Sequence, residues 1–347
     1  MIDFRYHLVS IVAVFLALAI GIVLGSTELQ GPTYNFLNKT TAKLQNELDQ
    51  VTSQRDTAQQ QASENDLYAQ AVEPAVLRDL LTGQRLLIVT EPGAQASVIS
   101  GISTAAIYAG ATVTGQINLA PKFFDTSGTT QDSLNQTTLD VAQAGNITLD
   151  TSATYQQQAA QVIASEVLTT SAGSTSSASP GSPSAGIQSA SAGTMLQAYA
   201  ASQFLSTTGQ PARPATLAIV VTPQNVPSDG SADQLDQVLI PLVQELAAKS
   251  SATVVVGSTS GSGAGSPVAV LRSDNVSNQV STVDDADLVS GQTVAIQALA
   301  VRLAGGKAGS YGFTANGATA VAPSPAPTPA ASPSATPTTS STKKKAK

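Results

Sequence analysis

Few residues in this chain have the types and spacing that chemistry needs. Asp284-Asp285-Ala286-Asp287, with Asp274 nearby, is the densest carboxylate group. Hard cations such as calcium take oxygen ligands of this kind, but the group shows no ligand spacing beyond proximity. A polar strand end leading into a helix N-terminus, where acids are stabilised in any case, accounts for the same residues. Gly257-Ser-Thr-Ser-Gly-Ser-Gly-Ala-Gly265 follows an apolar run and could cradle phosphate on backbone N–H groups. It lacks the Lys-Ser/Thr that would complete a phosphate loop, and a flexible Gly/Ser loop reads the same way. The only histidine is His7, so an imidazole-based triad further along the chain is excluded. There is no cysteine, which removes disulfides, thiolate metal sites and cysteine nucleophiles. The residues therefore point away from an enzyme.

The elements that would carry these residues begin with an apolar one. Leu8 to Thr27 holds no formal charge and is mostly aliphatic, with Leu8, Phe15, Leu16 and Leu24 among its apolar residues. As a helix it would span roughly 30 Å, the thickness of a bilayer's hydrocarbon core. Ala17-Leu18-Ala19 could end a secretory signal, but Ile20, Ile22, Val23 and Leu24 carry the apolar run past it, so the stretch reads as an uncleaved anchor over residues 1–28. Arg5, with His7, precedes the run, which by the positive-inside rule places the N-terminus in the cytoplasm and the bulk outside. Gly21 and Gly25 form a GxxxG pair that can let helices approach closely, or are simply small residues of a membrane helix.

Gly31-Pro32 should break the chain, and a stalk should run over residues 33–73, where Glu73-Pro74 should end or kink it. Leu37, Leu44, Val51 and Ala58 recur every seven residues, with Thr41, Leu48, Arg55 and Ala62 at the companion positions. This 3-4 alternation predicts a coiled-coil seam and a homo-oligomer, with a dimer as the simplest form. A single amphipathic helix lying on the globular domain is the alternative.

Residues 77–313 read as an α/β domain with a mostly parallel sheet. Arg85–Thr90 is a buried-type strand, Gln95–Ala109 a helix and Ala111–Ile117 a strand, which makes a strand-helix-strand unit. Thr216–Thr222 and Ala252–Gly257 are further strands, and Val268–Leu271 reads as a short one. Ser231 opens a helix with Leu235, Val238, Leu239, Leu242 and Leu246 on one face, kinked at Pro241. Gly291–Ala304 is apolar on most sides and should be buried against the sheet. Thr169–Ala192 reads as a disordered Ser/Ala/Gly insertion, and residues 314–347 as a Pro-rich disordered tail ending in four lysines. That tail could touch anionic polymers or headgroups, or serve only solubility. A formal charge of −7 argues against a nucleic-acid partner.

The opening Met1-Ile-Asp-Phe-Arg-Tyr-His7 with Val14–Ser26 resembles the start of the actinobacterial copper transporter family named for mycobacterial copper transport protein B (MctB). The far end is similar to that family's C-terminal signature: Ser281-Thr282-Val283-Asp284-Asp285, Ser290-Gly291-Gln292, Ala298–Ala300, and Leu303 to Gly312 with Gly306, Gly309 and Tyr311. The resemblance covers about residues 1–313. It implies copper homeostasis and a place in the outer envelope as a channel contributing to copper export. Relatives are also described as SteB-like partners in envelope assembly, which implies a non-catalytic scaffold or regulator with an envelope protein partner. Copper enters only through the resemblance: Cu(I) prefers thiolate and thioether and Cu(II) takes imidazole, while the chain has only Met1, Met195 and His7 to offer. A β-barrel pore needs many alternating ten-residue strands and aromatic girdles, where this sequence has one membrane helix and few aromatics.

Overall fold

The computed structural model describes residues 4–170, 184–211, 213–225, 232–259, 265–313 and 317–323. It divides into two units, Met1–Leu67 and Tyr68–Lys347.

The first unit is helical from Phe4 onward and belongs to α1 (Phe4–Leu77). Tyr6–Gly25, with a mean hydropathy of 2.9, is long and apolar enough to cross a bilayer. The expected break at Gly31-Pro32 does not occur, because α1 is continuous through it. One proline removes one backbone bond and crowds the carbonyl four residues back; the long helical sequences on both sides carry the helix across it. Pro74 likewise does not end α1, which runs on to Leu77. Leu37, Leu44, Leu48, Val51 and Ala58 all lie on α1, where every one is exposed in the single chain. The structure neither shows nor contradicts their association as a coiled coil.

The second unit is an α/β domain. Its strands are β1 (Arg85–Thr90), β2 (Thr112–Leu119), β3 (Leu205–Gly209), β4 (Leu217–Val221), β5 (Ala252–Val256), β6 (Ser281–Val283) and β7 (Ser310–Tyr311). Its helices are α2 (Ala96–Tyr108), α3 (Pro121–Phe124), α4 (Gly128–Gly145), α5 (Tyr155–Val167), α6 (Ser184–Ala201), α7 (Ala232–Lys249), α8 (Pro267–Ser273) and α9 (Val289–Leu303). The strands form one sheet in the order β3-β2-β1-β4-β5-β6-β7, antiparallel only between β2 and β3.

Side chains alternate across the sheet. Leu87, Val89, Ala218, Val220 and Val255 enter one core with α3 to α8, while Leu86, Ile88, Leu217, Ile219 and Val254 enter the other with α2, α9 and Leu77 of α1. Burial on both faces is why β1, β4 and β5 read as unbroken apolar runs.

Three expectations are corrected in this unit. Val268–Leu271 is helical within α8, because Ser266 caps it by accepting from Ala269 N and Pro267 occupies its first turn. The expected insertion Thr169–Ala192 is ordered at both ends: Thr169 N donates to Ala215 O, and α6 starts at Ser184 and buries Ala192, Met195, Leu196 and Tyr199. Residues 171–183 lie outside the described residues. The tail does not leave the sheet at residue 314, since Gly312 N donates to Ala320 O and Thr319 N to Ser310 O. Gly312 (φ +113°) and Gly317 (φ +84°) hold the left-handed conformations that return the chain. Residues 324–347, with the four lysines, lie outside the described residues.

Candidate functional site

The C-terminal signature residues gather at the β6–β7 edge of the sheet. Thr282 and Val283 are the last residues of β6, Asp284 and Asp285 follow it, and Tyr311 ends β7. Arg272, projecting from α8, binds all three segments: Nη1 meets Asp284 Oδ2 at 2.8 Å, Nε donates to Thr282 Oγ1 at 3.0 Å, and Nη2 donates to Tyr311 O at 2.7 Å. Asp284 is fully buried, and its Oδ1 accepts from Phe313 N at 2.8 Å. The ion pair is therefore enclosed and satisfied on both carboxylate oxygens.

Asp285 is placed differently. It is only 6% exposed, and its Oδ1 is buried with no hydrogen-bond partner. Burial, reinforced by the neighbouring Asp284 charge, pushes its carboxyl up to about 6. Asp287 is turned elsewhere, its Oδ1 accepting from Thr259 N at 2.7 Å and Thr259 Oγ1 at 2.8 Å. The three aspartates thus serve three different tasks, and among the described residues no group of three or more His, Asp or Glu could hold a metal ion.

The signature glycines are explained by close approach. A Cβ on Gly291, in the first turn of α9, would collide with the Asp285 carbonyl oxygen. One on Gly312 would collide with Asp284 Oδ1, one on Gly309 with the Tyr311 hydroxyl, and one on Gly306 would lie 2.5 Å from Val301 Cγ1. Gln292 donates from Nε2 to Ala286 O at 3.0 Å and lies against Gly101 of α2, where any side chain would strike its amide. Together these contacts hold α9 against the loop after β6 and against α2, and that loop against the β7 end. Arg272, which sequence reasoning passed over, organises the cluster; its only trace is a lone cation after the apolar run Pro267–Leu271.

Open α/β sheets bind ligands at the carboxyl ends of the strands where the order reverses, here between β1 and β4. There the loops bond to each other. Glu91 N donates to Val221 O at 3.0 Å, and Gln224 N donates to Gly93 O at 3.1 Å. Gly257 lies at the end of β5, where its N–H donates to Val283 O, and residues 260–264 of the glycine-rich loop lie outside the described residues. An open groove of about 780 Å³ above β1, β2 and β3 is bordered by Ile99, Ile107, Val113 and Gln116, and no ionisable side chain lines it.

The possible copper donors are equally dispersed in role. Met195 is buried in the core of α6, with its Cε where a Cβ on Gly145 would be, and His7 lies in the apolar stretch of α1 with Leu8, Phe15, Leu16, Gly21, Leu24 and Gly25. With no cysteine in the chain, this donor set does not fit a copper-binding centre.

Comparison with known proteins covers the same span as these features. The family described as "Copper transport outer membrane protein, MctB" matches residues 1–323. The chain is 29% identical over 328 residues to the protein named copper transporter MctB of Mycobacterium bovis, covering 93% of this chain and 100% of that protein. The same identity and coverage hold for its namesake in Mycobacterium tuberculosis, and the Mycobacterium leprae relative is 27% identical over 327 residues, 92% of this chain and 99% of its own. From the apolar helix to the locked β6–β7 edge, the chain belongs to the MctB family.

Proposed function

We propose that this protein serves copper homeostasis at the cell envelope, as a single-pass anchored protein acting through an assembly or partner. The observation carrying this reading is the family match over residues 1–323, with relatives named copper transporter. The donor set supports the second half: copper would be cargo here, and a chain with two methionines and one histidine has to rely on other molecules to handle it. Orientation follows Arg5 and places the α/β domain outside the membrane. A deletion strain under a matched copper load is expected to accumulate cell copper, reversed by the full-length gene. Unchanged copper content would overturn the role.

The exposed seam of α1 supports self-association. Because the chain has no native cysteine, Val51→Cys in the full-length protein is expected to give a disulfide-linked dimer in mild oxidant, whereas Asp49→Cys, off the seam, gives little. Adding Leu44→Asp and Leu48→Asp to Val51→Cys should remove most of the product, since seam positions require apolar side chains. Equal crosslinking at positions 49 and 51 would rule the seam out.

A second reading, a scaffold without a copper role, is favoured by the signature cluster, whose side chains are engaged in packing rather than open to a ligand. The copper measurement separates the two.

A further inference from the structure

β7 is the last strand of the sheet and the shortest, two residues paired with Thr282 and Val283 of β6. So short a strand has little ladder of its own, and other groups have to hold it in place. Thr282 N donates to Gly309 O at 2.9 Å, Arg272 Nη2 to Tyr311 O at 2.7 Å, and Phe313 N to Asp284 Oδ1 at 2.8 Å. Against the end of this strand lies a carboxyl that none of these bonds uses. The unpaired Oδ1 of Asp285 sits between two glycine backbones: a Cβ on Gly291 would lie 2.6 Å from it, and one on Gly312 3.2 Å. Burial without a partner favours the protonated form.

The surrounding charges act in the same sense. Asp284 and Asp287, on the same loop, repel a second negative charge, and the opposing cation, Arg272 of α8, is already bonded to Asp284. The other ionisable groups on the elements packed here are engaged elsewhere. Arg302, in the last turn of α9, donates to Gly306 O and Gln279 O, Glu73 of α1 accepts from Thr293 Oγ1, and the Tyr311 hydroxyl lies against Gly309. α2, β6 and residues 317–323 contain no Asp, Glu, Lys, Arg or His. An ionised Asp285 therefore gains its solvation only when the backbone over it moves. Gly291 is fixed in the first turn of a fifteen-residue helix, whereas Gly312 ends a two-residue strand, so the Gly312 side yields first. We propose that β7 is a detachable edge strand, released from β6 when Asp285 ionises, so that pH sets whether the Ser281–Val283 edge is covered or open to another strand. The carboxyl sits at about 6 with β7 in place and returns to its ordinary 3.8 once solvated. Its support for the closed edge is full below pH 3.8 and lost as pH rises through 6. Between pH 5.0 and 7.5 this linkage raises the opening constant about tenfold.

The test is hydrogen exchange of the full-length protein in lipid nanodiscs at pH 5.0 and 7.5, in a series of low urea concentrations. It is read residue by residue by mass spectrometry and corrected for the intrinsic effect of pH on amide exchange. The amides of Thr282, Gly312 and Phe313 report on β7, and the β4–β5 ladder is the reference. Their opening constant is expected to rise about tenfold from pH 5.0 to 7.5 and to ignore urea, the mark of local release, while the ladder follows urea. Asp285→Asn should abolish the rise, and Asp132→Asn, at an exposed position on α4, should keep it. Should Asp285→Asn fail to fold, Asp285→Ser makes the same comparison, and the urea series on the parent needs no variant. A parent without the rise, a rise retained when Asp285 is replaced, or β7 amides that follow urea as the ladder does would each overturn the proposal.

Discussion

Arg272→Met is expected to destabilise the α/β domain by about 3–5 kcal/mol, the range for breaking a buried ion pair from one side. The guanidinium is the only counter-ion that the described residues give Asp284, which is fully buried. Removing it strands the carboxylate and also releases Thr282 Oγ1 and Tyr311 O. The methionine would fill much of the volume, so the loss reports charge and hydrogen bonding more than a cavity. Urea unfolding followed by tyrosine fluorescence suits a chain without tryptophan, and the midpoint should fall with little change in slope. The pair Arg272→Met with Asp284→Leu is expected to recover much of the loss, since apolar replacement of a whole buried pair is often neutral. If the single variant costs less than about 1 kcal/mol, the level of an exposed pair, the clamp is not what holds this edge.

Asp285→Asn should move stability the other way. The folded-state carboxyl sits at about 6 against an ordinary 3.8, so ionising Asp285 favours the unfolded chain. Its contribution is full below pH 3.8 and lost as pH rises through 6. At one unit per roughly 1.4 kcal/mol, the ionised group costs the fold about 3 kcal/mol near pH 7.5. Asn keeps the shape and removes the charge. The variant is expected to be more stable by about 2–3 kcal/mol at pH 7.5 and no more stable than the parent at pH 3.5. An equal gain at both pH values would mean that the buried charge is not responsible.

These two side chains show where sequence reasoning stops. Asp284 and Asp285 are adjacent and chemically identical, and their position ahead of the helix over Gly291–Ala304 was readable. Their opposite situations depend on Arg272, twelve residues earlier on α8. Because Ser266-Pro267 was not taken as a helix start, Val268–Leu271 read as a strand, and the arginine was never aimed at the sheet.

The central strands were legible because burial on both faces leaves continuous apolar runs, as in Leu86–Val89 and Val254–Val256. By contrast α4, rich in Thr and Gln, buries only scattered residues such as Leu134 and Thr138, and α5 buries Gln156 and Gln158 beside its small Ala159 and Ala160, so neither shows a clear apolar stripe and both went unread. β6 and β7, three and two residues long, are too short to leave a period at all. At the apolar start of the chain, composition carried the helix, while the Gly31-Pro32 rule failed against the long helical sequence around it.

The sheet order has one more consequence, and it concerns time. β1 pairs with β2 across a short helical crossover, but its other neighbour, β4, lies far along the chain, with Arg85 N bonded to Thr216 Oγ1 across 131 positions. At about 5–20 residues per second, synthesis delivers β4 roughly 7–26 s after β1. Until then the apolar edge Leu86–Thr90 has only β2 beside it, and the loop-closure cost of the central ladder cannot be recovered. The central β1–β4 seam thus waits for more than a hundred residues to be made, and for those seconds the nascent chain exposes an apolar edge that needs shielding from aggregation.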